Sequence, residues 1–186
     1  AQDNTWEKIE TEPVEKENPD AKYLAENAVP MVDGKVVFHT VINAPGKSAD
    51  QIYDILLKYM TKMTHEKNQL NSQMITTDAE NHRLGGSYEE WLVFKTTAIS
   101  LDQTRFYFVL EADCQDGRAV VEMNRMRYLY EENRNPQRMR AEQWITDREA
   151  VNKKNTKLLP FTGKFRRKTI DRKDYLFRRF SNLLQK

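Results

Sequence analysis

Few residues in this chain have the types and spacing that chemistry requires. His39, His65 and His82 lie far apart and form no His-x-x-x-His pair, so their spacing gives little support for a catalytic zinc. Glu89 and Glu90 are adjacent in a predicted strand, where neighbouring side chains point to opposite faces and cannot act as a carboxylate pair. No serine has a Gly-x-Ser-x-Gly context, and no glycine-rich phosphate loop follows a strand. We therefore expect no catalytic residue, no metal site and no cofactor, and predict that the protein is not an enzyme.

Aromatic side chains offer a binding surface instead. Trp91 and Tyr107 lie in neighbouring predicted strands, each opposite to the main apolar residues of its strand, and Tyr128 and Tyr130 share one face of a third strand. If all four project from the helix-free face of a sheet, they form a platform for a ligand, a peptide, a glycan or a partner protein. Alternatively, another part of the chain covers them: Trp6, Trp144 or residues 152–163.

A basic C-terminal helix, predicted from Phe165 to Leu184, offers a second surface. Asp171 and Asp174 interrupt its charge, which favours an ordinary solvated helix face. The alternative is contact with the phosphate groups of an anionic envelope surface, such as lipid or lipopolysaccharide. The cations that would make this contact are Arg166, Arg167, Arg178 and Arg179.

The charge of the chain is unevenly distributed. The net charge is +2, yet residues 1–30 hold eight acids and three lysines, whereas residues 146–186 hold thirteen lysines or arginines and four acids. The two ends can attract each other, or the basic end can meet an anionic partner. Residues 1–30 also hold three prolines and few apolar residues. We expect an acidic, partly disordered N-terminal arm (residues 1–30) before a single domain (residues 31–186).

Three consecutive strands between Ser87 and Glu132 must position these side chains. The first two are rich in aromatic and β-branched residues and are separated by a turn predicted at residues 100–103. Asp116-Gly117 is a two-residue hairpin signal before the third. Gly85-Gly86, at the start of the run, predicts a bulge or a sharp bend.

The flanking segments complete an α+β fold. A strand is predicted at residues 34–43, a weaker one at residues 72–79, and a helix between them that begins after Ser48 and ends near His65. Ser48 and Gln51 have the spacing of a capping box. The order β-α-β-β-β-β-α predicts an antiparallel sheet of about five strands with helices packed on one face.

Length, cysteine content and hydropathy set further bounds. A chain of 186 residues can bury a real core as one domain. Cys114 is the only cysteine, so there is no intramolecular disulfide, and its place on an apolar strand face predicts burial. No run of about 18 apolar residues exists, so we expect no transmembrane segment.

Five short stretches carry a resemblance to a known family: residues 32–38, 44–48, 90–94, 141–147 and 163–174. They resemble an exported domain-of-unknown-function family from Bacteroides-type bacteria, over roughly residues 30–184. The resemblance implies a TATA-binding-protein-like (TBP-like) fold, a signal peptide removed before Ala1 and a location in the periplasm or cell envelope. Ala1-Gln2 fits the residues around a signal-peptidase cut, although an arbitrarily chosen start would look the same.

The resemblance implies no reaction, substrate or catalytic residue. A shared fold does not transfer DNA binding, and for an exported protein we expect no nucleic-acid partner. The leading hypothesis is therefore a binding or interaction module that uses the aromatic sheet face. Electrostatic docking through the basic helix is the alternative. The second alternative is an enzyme with an active site that the spacing of residues in the sequence does not reveal. Added salt should weaken docking through charge but not burial of aromatic side chains.

Overall fold

The computed structural model describes residues 2–9 and 18–186. Its centre is an antiparallel sheet in which neighbouring strands follow the order β3-β7-β6-β5-β4, with β8 also paired to β7. β1 and β2 form a separate hairpin. The strands are β1 (Met31–Val32), β2 (Lys35–Val36), β3 (Phe38–Asn43), β4 (Gln73–Asp78), β5 (Arg83–Thr96), β6 (Leu101–Gln115), β7 (Arg118–Tyr130) and β8 (Gln137–Arg140).

Helices cover one face of this sheet. The long helices α2 and α5 pack on the strands directly and on each other, and the short helices α1, α3 and α4 pack around α5. Their bounds are α1 (Ala21–Leu24), α2 (Ala49–Met63), α3 (Ala141–Trp144), α4 (Asp147–Ala150) and α5 (Thr162–Leu184), with a 3-10 turn at Thr5–Ile9. The predicted α+β arrangement and its β-α-β-β-β-β-α order are confirmed. β8 and the β1–β2 hairpin are additions, and the strand predicted at residues 34–43 is divided between β2 and β3, which belong to different sheets.

The start of α2 follows the sequence signal. Ser48 Oγ accepts a hydrogen bond from the Gln51 backbone N–H at 3.2 Å, and Gln51 Oε1 accepts one from the Ser48 N–H at 2.9 Å. This capping box satisfies two backbone donors that the first helical turn leaves open. The apolar stripe that follows is buried on the sheet, including Ile52, Leu56 and Met63.

Turns decide where the central strands begin. Asp116-Gly117 closes the β6–β7 hairpin with Gly117 at φ +77°, a conformation that favours glycine. The Asp116 carboxylate also accepts a hydrogen bond from the Ala49 N–H at 2.8 Å, which fixes this turn to the start of α2. The turn predicted at residues 100–103 lies earlier, because Thr97 and Ser100 bond to each other and β6 already begins at Leu101.

Gly85 and Gly86 lie opposite an irregularity, as predicted, but the shift in register is in β4 near Ile75. Gly86 has a second role. A Cβ atom built there would lie 2.5 Å from the ring of Tyr88, which crosses over it. The Tyr88 hydroxyl donates to the Met60 carbonyl at 2.8 Å, which connects β5 to α2. Because Gly86 has no side chain, the Tyr88 ring can cross it and reach this position.

A bulge in β7 changes which residues face the helices. The pairing between β6 and β7 shifts between Tyr107 and Val109, and Arg125 lies there at φ +51°. Val121 and Met123 face the core before the bulge, and Met126 and Tyr128 face it afterwards. One extra residue thus moves the even-numbered side chains to the helix-covered face.

The N-terminal segment is docked where the structure describes it. The Asn4 amide bonds to both backbone groups of Val93, with its Oδ1 2.7 Å from the nitrogen and its Nδ2 2.5 Å from the oxygen. Glu7 pairs with Lys168 at 2.5 Å, and Asp20 pairs with Arg167 at 2.9 Å. Residues 10–17 of the predicted arm lie outside the described residues, and the predicted division at residue 30 stays a prediction.

Candidate functional site

The face of the sheet opposite the helices carries two aromatic residues in contact with arginines. Trp91 in β5 is the cross-strand partner of Arg105 in β6, whose guanidinium carbon lies 4.8 Å from the centre of the indole ring. Tyr107 in β6 is the partner of Arg127 in β7, with 3.7 Å between the guanidinium carbon and the ring centre. Both distances are within cation–π range. Both aromatic side chains remain partly exposed.

Acidic side chains hold this arrangement in place. Arg105 Nε donates to Glu132 at 2.8 Å and its Nη1 donates to Glu89 at 3.3 Å, and the bond to Glu132 is the main reason that the pKa of Arg105 is raised. Partial burial, followed by the Glu89 carboxylate, raises the pKa of Tyr107 above its usual value. Tyr107 is therefore a neutral hydroxyl at physiological pH, and Arg105 has its charge locally compensated.

A groove of about 510 Å³ opens beside Trp91. It lies between the β5–β6 turn, where Ile99 is 97 % exposed, and the segment that follows β7. Its walls combine apolar side chains such as Leu101 and Leu129 with charged ones such as Glu132 and Arg134. Its volume falls in the range of small-ligand sites.

Two members of the predicted aromatic platform belong to the opposite face. Tyr128 is 1 % exposed and its hydroxyl shares a 2.6 Å hydrogen bond with Thr169 of α5. Tyr130 is buried too, and its hydroxyl donates to Asp102 at 2.6 Å. The prediction that they share a face with Trp91 and Tyr107 is wrong, because the bulge at Arg125 reverses the alternation of β7.

Coverage of the aromatic residues is divided in the same way. Trp144 stacks on Tyr128 at 6.0 Å between ring centres and packs on Tyr130, so the predicted cover exists on the helix side. Trp6 instead contacts Tyr175 of α5, at 5.6 Å between ring centres. Of the four predicted aromatic residues, Trp91 and Tyr107 are thus the two that remain available on the helix-free face.

The predicted basic surface of α5 is largely used inside the protein. Arg166 is fully buried and donates to the carbonyls of Tyr23 and Ile145, at 2.9 and 3.0 Å, and to the Asp147 carboxylate at 2.7 Å. Its assignment to the surface is wrong, since the buried guanidinium joins α5 to Tyr23 of α1 and to residues 145–147.

The three other arginines of that surface lie in different settings. Arg167 donates to Asp20 at 2.9 Å, and Arg179 lies 5.6 Å from the ring centre of Tyr59. Arg178 is exposed. They therefore do not form one continuous solvent-facing cationic stripe.

An acid–histidine pair was not recognised in the sequence because its members are distant along the chain. His82 Nε2 lies 2.5 Å from Asp50 Oδ1, and Asp50 is 84 % exposed. The backbone carbonyl of His82 accepts from the Cys114 N–H, but burial raises the pKa of the Cys114 thiol to about 12. A protonated, buried thiol is a poor nucleophile, so these three residues do not form an activated cysteine site.

Over residues 2–9 and 18–186, no three His, Cys, Asp or Glu side chains are grouped as a metal site would need. In the same part of the chain, no helix is both long and apolar enough to cross a bilayer.

The architecture defines the class of this protein: an α+β protein with a TBP-like fold, in which helices cover one face of an antiparallel sheet. A family model described as a domain of unknown function (DUF4468) with TBP-like fold matches residues 38–129. A DUF4468 family protein from Bacteroides ovatus is 38 % identical, and the match covers 90 % of this chain and 96 % of that chain with a TM-score of 0.83. The chain therefore belongs to the DUF4468 family, which confirms the resemblance seen in the sequence.

A second solved structure shares the fold alone. A TBP-like protein from Parabacteroides distasonis is 18 % identical, with a TM-score of 0.70 over 85 % of this chain and 97 % of that chain. No curated protein matches the chain at a significant level.

Proposed function

We propose that this protein is a non-enzymatic binding module whose ligand or partner contacts the helix-free sheet face at Trp91 and Tyr107. The observation that carries the proposal is the pair of partly exposed aromatic rings, each under a guanidinium, at 4.8 and 3.7 Å. Tryptophan, tyrosine and arginine are enriched among the residues that dominate binding energy, and the two aromatic types bury a large area with little loss of conformational freedom. A ligand that contacts Trp91 could also occupy the adjoining groove of about 510 Å³.

The support for this surface is that it is already organised. Strand pairing fixes the order of Trp91, Arg105 and Leu129 across three strands, and Glu132 holds Arg105 by an ion pair. Side chains that are held in place before binding lose less conformational entropy when they bind. We propose that an aromatic or sugar ring, or an apolar side chain of a partner protein, lies against Trp91.

Docking through α5 has less support. Arg166 is buried, and the charge of Arg167 is already paired with Asp20. A surface that attracts an anionic membrane needs cations that are not neutralised by the protein itself. We therefore keep this function as an outcome of the experiment below.

We also propose that the protein is exported to the periplasm or cell envelope, with its signal peptide removed. The support is the family resemblance together with the Bacteroides relative. An epitope-tagged copy, expressed from its complete gene in a Bacteroides host, should appear in the periplasmic or envelope fraction. Recovery with a cytoplasmic marker enzyme would contradict the proposal.

The binding function is tested by tryptophan fluorescence and thermal melting of the protein against panels of envelope glycans, peptides and lipids. A ligand of the proposed surface should bind wild type and Trp91→Phe, and bind Trp91→Ala and Tyr107→Ala at least about tenfold more weakly. Because the contact is mainly apolar, binding should persist when salt is raised. Phe161→Ala is the matched control, since Phe161 is an exposed aromatic residue on the helix side.

Two results would overturn the proposal. One is a ligand whose affinity is unchanged by Trp91→Ala and Tyr107→Ala. The other is salt-sensitive binding that is lost only when Arg167, Arg178 and Arg179 are all changed to Gln, which would assign the function to α5. Arg166 is left intact in that variant because its removal would disturb the fold.

A further inference from the structure

β3 lies at one end of the central sheet, so among the described strands it has a neighbour, β7, on one side only. Its pairing with β7 keeps one unbroken antiparallel register from end to end. The Ala44 N–H extends this pairing by donating to the Gly117 carbonyl at 2.8 Å. Successive residues of a strand direct their backbone groups to opposite edges. The even-numbered residues of β3 therefore bond to β7, as Ala44 does, and the backbone groups of His39 and Val41 point outwards.

Bonds at the two ends of this outer edge agree with that direction. The Val37 N–H donates to the Pro30 carbonyl at 3.1 Å, and the Asn43 carbonyl accepts from the Gln185 side chain at 2.6 Å. Between these two bonds, no group within residues 2–9 and 18–186 bonds to the outward N–H and C=O groups of β3. Two donors and two acceptors are thus open to a further strand.

This open edge also lacks the features that usually protect one. Proteins discourage pairing at a sheet edge with proline, lysine or a bulge. β4, at the opposite end of the sheet, has a shift in register near Ile75. Over its six residues, all of them described, β3 has no proline, no lysine and no shift in register. On its helix-free side Val41 is 48 % exposed, where a β-branched side chain can pack against a residue of an added strand.

A groove of about 400 Å³ follows the same edge on the helix side. α5 runs alongside β3 in the same direction, because Lys173 Nζ lies 5.2 Å from the ring centre of Phe38 and the residue after α5 reaches the end of β3. Phe177 lines the α5 side of the groove, and Thr40 lies half-buried on the β3 side. An added strand would point every second side chain towards this groove.

The charged side chains of the groove compensate one another. The Asp174 carboxylate lies 2.6 Å from Lys173 Nζ and 2.9 Å from Lys22 Nζ. A charged side chain that entered would lose hydration without gaining a free counter-ion. Ile170, which is 2 % exposed, and the half-buried Phe177 supply apolar surface instead. The groove therefore favours an uncharged, apolar side chain.

From this combination we propose that the outer edge of β3 binds an extended segment of a partner protein as an additional strand. The segment pairs with the backbone of His39 and Val41 and places an apolar side chain in the groove beside Phe177. β7 and β6 separate this edge from Trp91 in β5, so the site goes beyond the aromatic surface described above and does not depend on it.

The probes for this edge are four acetylated and amidated heptapeptides, Ser-Val-Thr-X-Thr-Val-Ser, in which X is leucine, phenylalanine, aspartate or lysine. In titrations followed by the amide resonances of the protein, the leucine or the phenylalanine peptide should bind saturably. The aspartate and lysine peptides should bind at least about tenfold more weakly. The amide protons of His39 and Val41 should exchange faster than that of Thr40 in the free protein, and saturating peptide should slow them at least about tenfold.

Val41→Pro removes one outward donor at an edge position, where proline is tolerated, and should weaken peptide binding at least about tenfold. Val41→Thr is the matched control, since it keeps the N–H, and it should change the affinity by no more than about twofold. N-methylated peptides test the same contact without changing the protein. Methylation of one alternate set of peptide amides should abolish binding, whereas methylation of the other set should be tolerated, because one edge of the peptide faces β3.

Four results would overturn the proposal. They are no binding by any of the four peptides, equal affinity of the leucine and aspartate peptides, equal losses in Val41→Pro and Val41→Thr, and equal tolerance of methylation at both sets of amides. A dimer that excludes the peptides and is lost in Val41→Pro would also overturn it, by assigning the edge to a second copy of the chain. Trp91→Ala should leave peptide binding unchanged, so failure here is distinguishable from failure of the aromatic surface.

Discussion

At the scale of single residues, the most demanding feature is a buried ion pair between the sheet and α5. Arg172 donates to both carboxylate oxygens of Glu90, at 2.8 and 2.9 Å, and both side chains are about 3 % exposed. Burial opposes the charged form of Arg172, but Glu90 outweighs it and raises the pKa of the guanidinium. Trp6 and Tyr175 lie against the same guanidinium, at 5.3 and 5.5 Å.

Removing one partner should therefore be costly. Arg172→Met leaves the Glu90 carboxylate buried without a counter-ion, and we expect the free energy of unfolding to fall by about 3–5 kcal/mol. Combining it with Glu90→Gln, which keeps the hydrogen bond to Gln69, should recover at least half of that loss. Urea unfolding measures the free energy of unfolding of the single and the double variant.

The control for this cycle is Arg178→Met, an exposed position on the same helix, which should change stability by no more than about 0.5 kcal/mol. If Arg172→Met cost no more than the control, the pair would contribute nothing to the fold. If the double variant lost as much as the single one, the loss would come from packing and not from an uncompensated charge.

At the scale of elements, α1 is held to α5 mainly by polar contacts. Lys22 bonds to Asp174 at 2.9 Å and to Asp171 at 3.2 Å, and the Tyr23 hydroxyl donates to Asp171 at 2.6 Å. Burial acts to raise the pKa of Asp174, but hydrogen bonds from Lys173 and Lys22 outweigh it and lower the pKa. The contribution of these contacts to the free energy of unfolding should therefore depend on pH.

The direction of the pH dependence follows from the lowered pKa of Asp174. The folded state holds Asp174 ionised more strongly than the unfolded state does, so its stabilisation is complete above a pH of about 4 and is lost as the pH falls below it. Asp174→Asn should lower the free energy of unfolding by about 1 kcal/mol or less at pH 7. The difference from wild type should shrink as the pH falls from about 4 towards 2.

Urea unfolding at a series of pH values from 2 to 7 measures this difference. Glu131→Gln, an exposed acid in the segment after β7, is the control. A difference that stayed constant down to pH 2 would mean that Asp174 acts through packing and that its charge is irrelevant.

At the scale of the whole molecule, the N-terminal segment covers the edge of β5 that lies beyond the first residue of β4, Gln73. The backbone of Asn68 and Leu70 bonds to β5, beyond which the Asn4 side chain serves Val93 and the Gln2 carbonyl accepts from the Thr96 hydroxyl. Asn4 is 2 % exposed, so its amide replaces a strand at a buried edge. The acidic end and the basic end also meet, through Glu7–Lys168 and Asp20–Arg167.

Asn4→Ala should consequently destabilise the whole domain. It leaves the Val93 N–H and C=O without their partner, and we expect a loss of about 1–3 kcal/mol in the free energy of unfolding. Deleting residues 1–9 should cost more, since Trp6 also leaves Tyr175 and Arg172. Thermal and urea unfolding give both values.

Gln2→Ala is the control, because it keeps the backbone carbonyl that Thr96 uses. If the deletion left stability unchanged, the segment would be an arm independent of the domain, as composition alone had suggested.

Much of the fold could be predicted because it depends on local signals. The Ser48–Gln51 capping box and the Asp116-Gly117 turn involve neighbours in sequence, and each is found where it was expected. Half of the candidate site was also predictable: Trp91 and Tyr107 lie on strands whose alternation is regular up to that point.

Arg105 and Arg127 were missed as the partners of those rings. A signal for them existed in the register, because the β6–β7 hairpin closed by Asp116-Gly117 sets Tyr107 opposite a residue of β7. Which residue of β7 lies opposite Tyr107 depends on the bulge, and the sequence carries no turn signal that predicts this bulge.

By itself the sequence determined the family, the order of helices and strands, the burial of Cys114 and the existence of an aromatic binding candidate, because these follow from short-range patterns of residue type. Only the tertiary structure decided which side chains share a surface. A single bulge at Arg125 moved Tyr128 and Tyr130 into the core, and long-range ion pairs engage Arg166 and Arg167 of the predicted basic face within the protein. A face of a sheet or helix is defined by what packs against it, and those contacts join residues that are far apart in the chain.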